Sequence, residues 1–171
     1  AGDGLHVATW GDRAAQGDDI VDPVGIAVDV DHRTYVADRG RGAVLVLDDT
    51  GRVTSTIGRG RGVGPGEFSA WGPGALSFSH ELSSHSYDLF AVDAGNTRVQ
   101  SFGVDGAPHL AFGAVGSGDG QFAERSVQDV ATHPSGQVYV IDHRGDQKVS
   151  VFDGAGRYVR AFHGLVGEDS R

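Results

Sequence analysis

Pro23-Val24-Gly25-Ile26-Ala27-Val28-Asp29, then Thr34-Tyr35-Val36-Ala37-Asp38, then Ala43-Val44-Leu45-Val46-Leu47-Asp48 form a line that returns twice more along the 171 residues. The register follows from three aspartates. Asp38, Asp93 and Asp142 each close a short apolar run: Tyr35-Val36-Ala37, Leu89-Phe90-Ala91-Val92 and Val138-Tyr139-Val140-Ile141. A second run is centred six, six and seven residues further on, at Val44, Val99 and Val149. A turn glycine follows at Gly51, Gly106 and Gly156, and six residues past each stands a large apolar residue: Ile57, Phe112 and Phe162. Gly4 and Trp10 repeat that last spacing at the front, so successive turn glycines are separated by 47, 55 and 50 residues. Each repeat therefore holds four short runs with period-2 alternation, here called a to d in chain order. Four strands per unit at this period predict an all-β chain built of β-propeller blades, about three of them with one extra strand in front. No stretch keeps apolar residues at helical spacing over three turns, so no substantial helix is expected.

The d-to-a connections are long and rich in glycine, Gly58 to Phe68 and Gly113 to Phe122. Each ends in an aromatic that can pin the crossing between blades. Glycine spacing alone would suggest a flexible linker, but its return at one point of every repeat argues for a structural connector. The expected divisions are 1–21 for the last strand of a preceding blade with its connector, 22–58 for the first blade, 59–113 for connector and second blade, 114–164 for connector and third blade, and 165–171 for the start of another connector. Both ends cut across blades, as in a partial propeller or part of a six-bladed ring.

Trp10-Gly11, Pro23-x-Gly25-Ile26-Ala27-Val28-Asp29 and above all Val92-Asp93-Ala94-Gly95-Asn96-Thr97-Arg98-Val99-Gln100-Ser101-Phe102 resemble NHL repeats. The resemblance covers nearly the whole chain. It is looser in the first repeat, with Arg39-Gly40-Arg41-Gly42 where the Asn and Arg would fall, and in the third, with Val127 at the proline position. It implies a propeller, usually of six blades. Some propellers of this type are lyases with zinc held by histidines near the channel, and six-bladed lactonases hold a central calcium through Glu, Asn and Asp. His133 follows strand a in the third repeat, yet Asp29 and Ser79 occupy its counterparts, and no convergent set for either metal can be named.

The formal charge is −9, and acidity comes from Asp more than Glu. Asp belongs in turns, where its carboxylate accepts neighbouring amides, so the bias reflects a turn-rich fold. Net acidity argues against nucleic acid as a partner. There is no cysteine, which excludes disulfides and thiolate metal sites. No apolar run reaches the roughly 20 residues of a membrane helix. The first residue is Ala1, compatible with a removed leader, and a secreted or cell-envelope, extracellular setting is the favoured expectation.

Asp38, Asp93 and Asp142 could form a carboxylate ring around a metal. Their recurrence in every repeat argues instead for structure: each can accept amides of the b–c turn and pair with Arg98 or its equivalent. Because strands alternate in direction, b–c turns and d–a connectors emerge on one face. Arg39, Arg41, Arg59, Arg61, Asn96, Arg98, Arg144 and Gln147 lie there and form the candidate interaction face, since guanidinium groups can hold carboxylates or phosphates bidentately. Arg59 and Arg61 among glycines also resemble a short Arg-Gly tract for nucleic acid. The second repeat carries a longer a–b segment with His80, Glu81 and His85; their spacing lacks a zinc-helix register, and a surface hairpin is expected. No catalytic residue, cofactor or metal is assigned.

The expected reading is a non-catalytic interaction or scaffold module within an oligomeric assembly; the alternative is a hub-metal lyase or lactonase-type hydrolase using Zn or Ca. The expected core comprises Ile26, Val28, Tyr35, Val36, Val44, Val46, Leu76, Phe90, Val92, Val99, Phe102, Val130, Val138, Val140, Val149, Val151 and Phe162. An arc of three blades leaves two apolar flanks and an unpaired edge at Leu5–Trp10. Protein partners or further blades are therefore expected to cover both flanks.

Overall fold

The computed structural model describes residues 20–79 and 88–163, so the expected strand at Leu5–Trp10, the segment with His80, Glu81 and His85 and the last connector lie outside the described residues. Twelve strands form three four-stranded antiparallel sheets. β1 (Pro23–Val28), β2 (Thr34–Asp38), β3 (Ala43–Leu47) and β4 (Val53–Ile57) make the first. β5 (Leu76–Phe78), β6 (Leu89–Asp93), β7 (Arg98–Phe102) and β8 (Pro108–Phe112) make the second. β9 (Val127–Thr132), β10 (Val138–Asp142), β11 (Lys148–Phe152) and β12 (Tyr158–His163) make the third. Strands pair in chain order within each sheet. Among the described residues the only helical element is a 3₁₀ turn, Ala94–Asn96. The chain is a three-blade arc of a β-propeller.

The local chemistry explains the elements. Valine, isoleucine, leucine and aromatic residues fill the strands, where branched and flat side chains suit a pleated surface. The c–d turns begin on aspartates whose carboxylates accept the amide two residues on: Asp48 from Thr50, Asp105 from Ala107 and Asp153 from Ala155, each at 3.0 Å. That is where much of the Asp bias goes. The c–d pairing also shifts register once in every blade, between Val46 and Leu47, Ser101 and Phe102, and Val151 and Phe152, a bulge that adds twist to the outer edge.

Paired registers define two faces per blade. The Ala37–Val44–Ile57 and Tyr35–Val46 rows of the first blade pack on Leu76, Phe78, Leu89, Ala91 and Phe102 of the second. Tyr35 meets Phe78 edge-on with ring centroids 4.6 Å apart. The opposite face of the second blade, Phe90, Val92, Val99 and Phe112, packs on Val127, Val130, Val138, Val140 and Phe152 of the third. Strand a of one blade lies beside strand a of the next, β1 on β5 and β5 on β9. The approach is close: a Cβ on Gly25 would stand 2.4 Å from the Gly74 carbonyl oxygen. Only glycine allows that contact.

Most expected core positions are buried, but Ile26, Val28 and Phe162 are not, with 67%, 52% and 51% of their surface exposed. Val149 is half-buried. Ile26 and Val28 lie on the first blade's outward face, opposite the second blade; Val149 and Phe162 pair on the third blade's outward face. Alternation marks these rows as apolar, yet burial requires a neighbour, and no described residue covers them. Leu45 and Leu47 on the same outward face of the first blade are buried, packed with Val36, Ile20 and Val53.

Candidate interaction face

Both connectors close on themselves through backbone hydrogen bonds rather than running as tethers. Phe68 and Phe122 are fully buried and donate their amides back to Gly60 and Ala114, while accepting from Gly62 and Gly116. Burying a phenyl ring contributes on the order of 2–3 kcal/mol, so each connector is anchored at its far end.

The three repeated aspartates tie each connector to its blade. Asp38 accepts from the amides of Val21, Asp22 and Arg41 at 2.6, 3.1 and 3.0 Å. Asp93 accepts from the Ser69 amide at 3.0 Å, from Asn96 Nδ2 at 2.8 Å and from Arg98 Nε at 2.9 Å. Asp142 accepts from the amides of Ala123 and Arg144 at 3.0 and 3.1 Å. The turn amides of Arg41 and Arg144 and the Asp93–Arg98 pair match the sequence expectation; Asp93 takes side-chain donors of its turn in place of an amide, and the bonds from the incoming connector were not foreseen from sequence. Each b–c turn then passes through a left-handed residue: Gly42, Thr97 and Gln147, at φ 67°, 54° and 47°. Glycine takes that conformation freely, which accounts for Arg41-Gly42 in the first repeat.

Several residues of the candidate face are engaged by the chain's own backbone carbonyls. Arg98, 13% exposed at its side chain, donates to the carbonyls of Val63, Gly64 and Glu67 at 2.7, 3.0 and 2.8 Å. Asn96 Nδ2 donates to the Gly62 carbonyl at 2.8 Å. Gln100, absent from the sequence candidates, accepts from the Gly66 amide and donates to the Glu67 carbonyl. Arg61 donates to the carbonyls of Arg39, Gly40, Ser69 and Ala70, bridging the first b–c turn and the second blade's entry. Arg59 runs its stem over Gly66. Arg39 stands 3.9 Å from Asp22, both about half exposed. Arg41, Arg144 and Gln147 open to solvent, with Arg144 Nε 3.3 Å from His143 Nε2.

Two residues on this face escaped the sequence reading. Trp71 is 47% exposed, and the Arg125 guanidinium lies 5.1 Å from its ring centroid. Each stands three residues past its connector's buried aromatic, a positional signal that repeat alignment could have supplied.

The opposite face holds the a–b turns. Asp29 accepts from the Arg33 amide and Nε and from the Tyr35 hydroxyl. Burial raises the Asp29 carboxyl, but these three donors outweigh it and leave it below its ordinary value. Burial, then the bond to Asp29, push the Tyr35 hydroxyl up to about 12. Ser79 Oγ accepts from the Asp88 amide, and His133 Nδ1 lies 2.8 Å from Ser135 Oγ in its own turn. The three positions after strand a thus serve their own turns. Among the described residues no three His, Cys, Asp or Glu side chains are grouped to hold a metal, and no helix is long and apolar enough to cross a membrane.

No protein-family model matches the chain, and no curated protein does. Solved structures do. Virginiamycin B lyase from Staphylococcus aureus aligns with a TM-score of 0.60 at 12% identity, over 82% of this chain and 41% of its own. A nidogen/laminin complex aligns with a TM-score of 0.54 at 23% identity, over 84% and 48%. U3-55K aligns with a TM-score of 0.61 at 17% identity, over 89% and 41%. The chain spans less than half the length of each, and at these identities the likeness concerns the fold, which is that of a β-propeller.

Proposed function

We propose that this chain is an NHL-type propeller segment working as a non-catalytic protein-interaction or scaffold module, with further blades or protein partners on its two outward faces. The observation that carries the reading is what the three repeated aspartates and the second blade's Asn96 and Arg98 do. Asp38, Asp93, Asp142, Asn96 and Arg98 all hold loops in place, so the connector face is a preorganised platform. Around them Arg39, Arg41 and Arg144 stand in solvent. Rigid loops presenting exposed arginines suit recognition of a partner's carboxylates, because little order is lost on binding. The exposed Ile26, Val28 and Phe162 support coverage of the flanks, since apolar blade faces are normally buried against neighbouring blades.

The test uses the full-length polypeptide. Replacing Arg39 and Arg144 by glutamate is expected to dissociate it from its assembly in light scattering while its melting temperature holds. Stoichiometric zinc or calcium in the purified protein, with an activity abolished by His133→Ala, would overturn the reading in favour of a hub-metal enzyme.

A further inference from the structure

Trp71, Arg125 and Arg39 come from three different blade entries or turns and meet on one face. Trp71 closes the first connector, and the turn it shares with Gly72 rests on Arg39: a Cβ on Gly72 would lie 2.8 Å from the Arg39 Cα. Gly95, in the second b–c turn, faces it from the other side, where a Cβ would lie 3.6 Å from the Trp71 Cβ. Arg125 closes the second connector in a left-handed conformation, φ 56°, and its amide donates to Thr97 Oγ1 at 2.9 Å. Thr97 is itself left-handed and buried. Arg125, a non-glycine residue in the left-handed region, thus holds its guanidinium over an indole that water reaches. An exposed cation–π contact returns little, and a left-handed non-glycine residue such as Arg125 carries strain, so the stack does not account for itself as a stabilising device.

The surroundings indicate what would bind. Arg39 and Arg125 are each about half exposed, and among the described residues their ion pairs are with the exposed Asp22 at 3.9 Å and Glu124 at 3.5 Å. Ion pairs this loose and wet are readily exchanged for a better carboxylate. Exposed tryptophan beside arginine is also the composition of a binding hot spot.

We propose that Trp71, Arg125 and Arg39 form the recognition site for an acidic peptide segment. Its carboxylates pair with the two guanidinium groups, and an aromatic or apolar side chain between them packs against the exposed part of Trp71. The proposal rests on the interaction-module reading and adds the partner's chemistry to it.

The probe is a short synthetic peptide of glutamates flanking one tyrosine, titrated into the full-length polypeptide by calorimetry. Saturable binding is expected, weakening as salt rises. Trp71→Ala and Arg125→Glu should each weaken it about tenfold or more, with melting temperature retained, and Trp71→Phe should recover much of the loss. The same peptide with lysine for glutamate should not bind. Absence of binding by the acidic peptide overturns the proposal, as does an affinity indifferent to both variants. Preference for a single-stranded oligonucleotide over the acidic peptide also overturns it. If Arg144→Glu alone dissociates the assembly while Trp71→Ala and Arg125→Glu leave it intact, the module reading stands and this site falls; if none of the three affects assembly but the peptide site behaves as expected, the reverse holds.

Discussion

The two blade junctions solve the same problem with different chemistry. The connector from Gly58 to Phe68 is clamped by the blade it enters: Arg98, Asn96 and Gln100 together address Gly62, Val63, Gly64, Gly66 and Glu67. At the next junction Lys148 takes the place of Arg98 and Ser150 that of Gln100, by register against the closing aspartate and the residues before it. Lys148 is 6% exposed at its side chain, with its amine 4.0 Å from Asp146, and the buried Ser150 hydroxyl has no hydrogen-bond partner among the described residues. Among the described residues, no third-blade side chain donates to a carbonyl of the 113–122 connector. Aromatic packing replaces the clamp there: Phe112, Phe122 and Tyr158 surround Phe152 at centroid distances of 4.7, 5.9 and 6.1 Å. The common part is the local carboxamide or carboxylate loop closure, Glu67 on the Gly64 amide and Gln121 on the Gly118 amide, both at 2.9 Å. A connector thus needs its buried aromatic and its own loop closure, while the polar clamp belongs to one junction.

The sharpest way to break this comparison is to remove the cation at each junction in the full-length polypeptide and measure unfolding in denaturant. Arg98→Ala should cost about 3–5 kcal/mol, because it leaves the buried Asp93 carboxylate without its cation and three carbonyls without a donor. Lys148→Ala should cost no more than about 1–2 kcal/mol, chiefly lost packing of its stem. Equal losses would show that the clamp is not what distinguishes the junctions.

A smaller effect sharpens it from the other side. Ser150→Ala should stabilise by roughly 1 kcal/mol, since it removes a buried hydroxyl left unpaired among the described residues. The double change Lys148→Arg with Ser150→Gln should gain about 1–2 kcal/mol by rebuilding the clamp. A loss in both variants would mean that the aromatic cluster leaves no room for polar anchoring.

The smallest effect concerns the a–b turns of the outer blades. Asp29 is held below its ordinary value of 3.8 in the folded chain. A depressed carboxylate contributes stability that is present above its unfolded value and lost as pH falls below it. Stability should therefore fall from pH 4 downward, and Asp29→Asn should flatten part of that slope. His133→Asn in the third blade, whose turn has no such carboxylate, should leave the acid limb unchanged. An acid limb identical in the Asp29→Asn variant would sink this assignment.

Four strands per repeat, their a-to-d order and their turns were legible in the residues because the signals are local. Period-2 alternation places side chains on faces, and Asp and Gly mark turns by their own short-range bonding. The candidate face was legible as a place, since antiparallel order alone brings b–c turns and connectors together. Which of its arginines bind the chain's own carbonyls was not legible, because Arg61 and Arg98 reach carbonyls 21–35 residues away in sequence. Trp71 and Arg125, 54 positions apart, become a pair only when two connectors close side by side.

By itself the sequence determined the repeat, the blade and the positions that must be apolar. Tertiary structure decided which of those positions are buried: Ile26 and Val36 are paired on one face, yet the first is 67% exposed and the second 6%. Alternation encodes the sidedness of a strand, which is a property of a few consecutive residues. Burial depends on what lies against that side, which is set by contacts between blades.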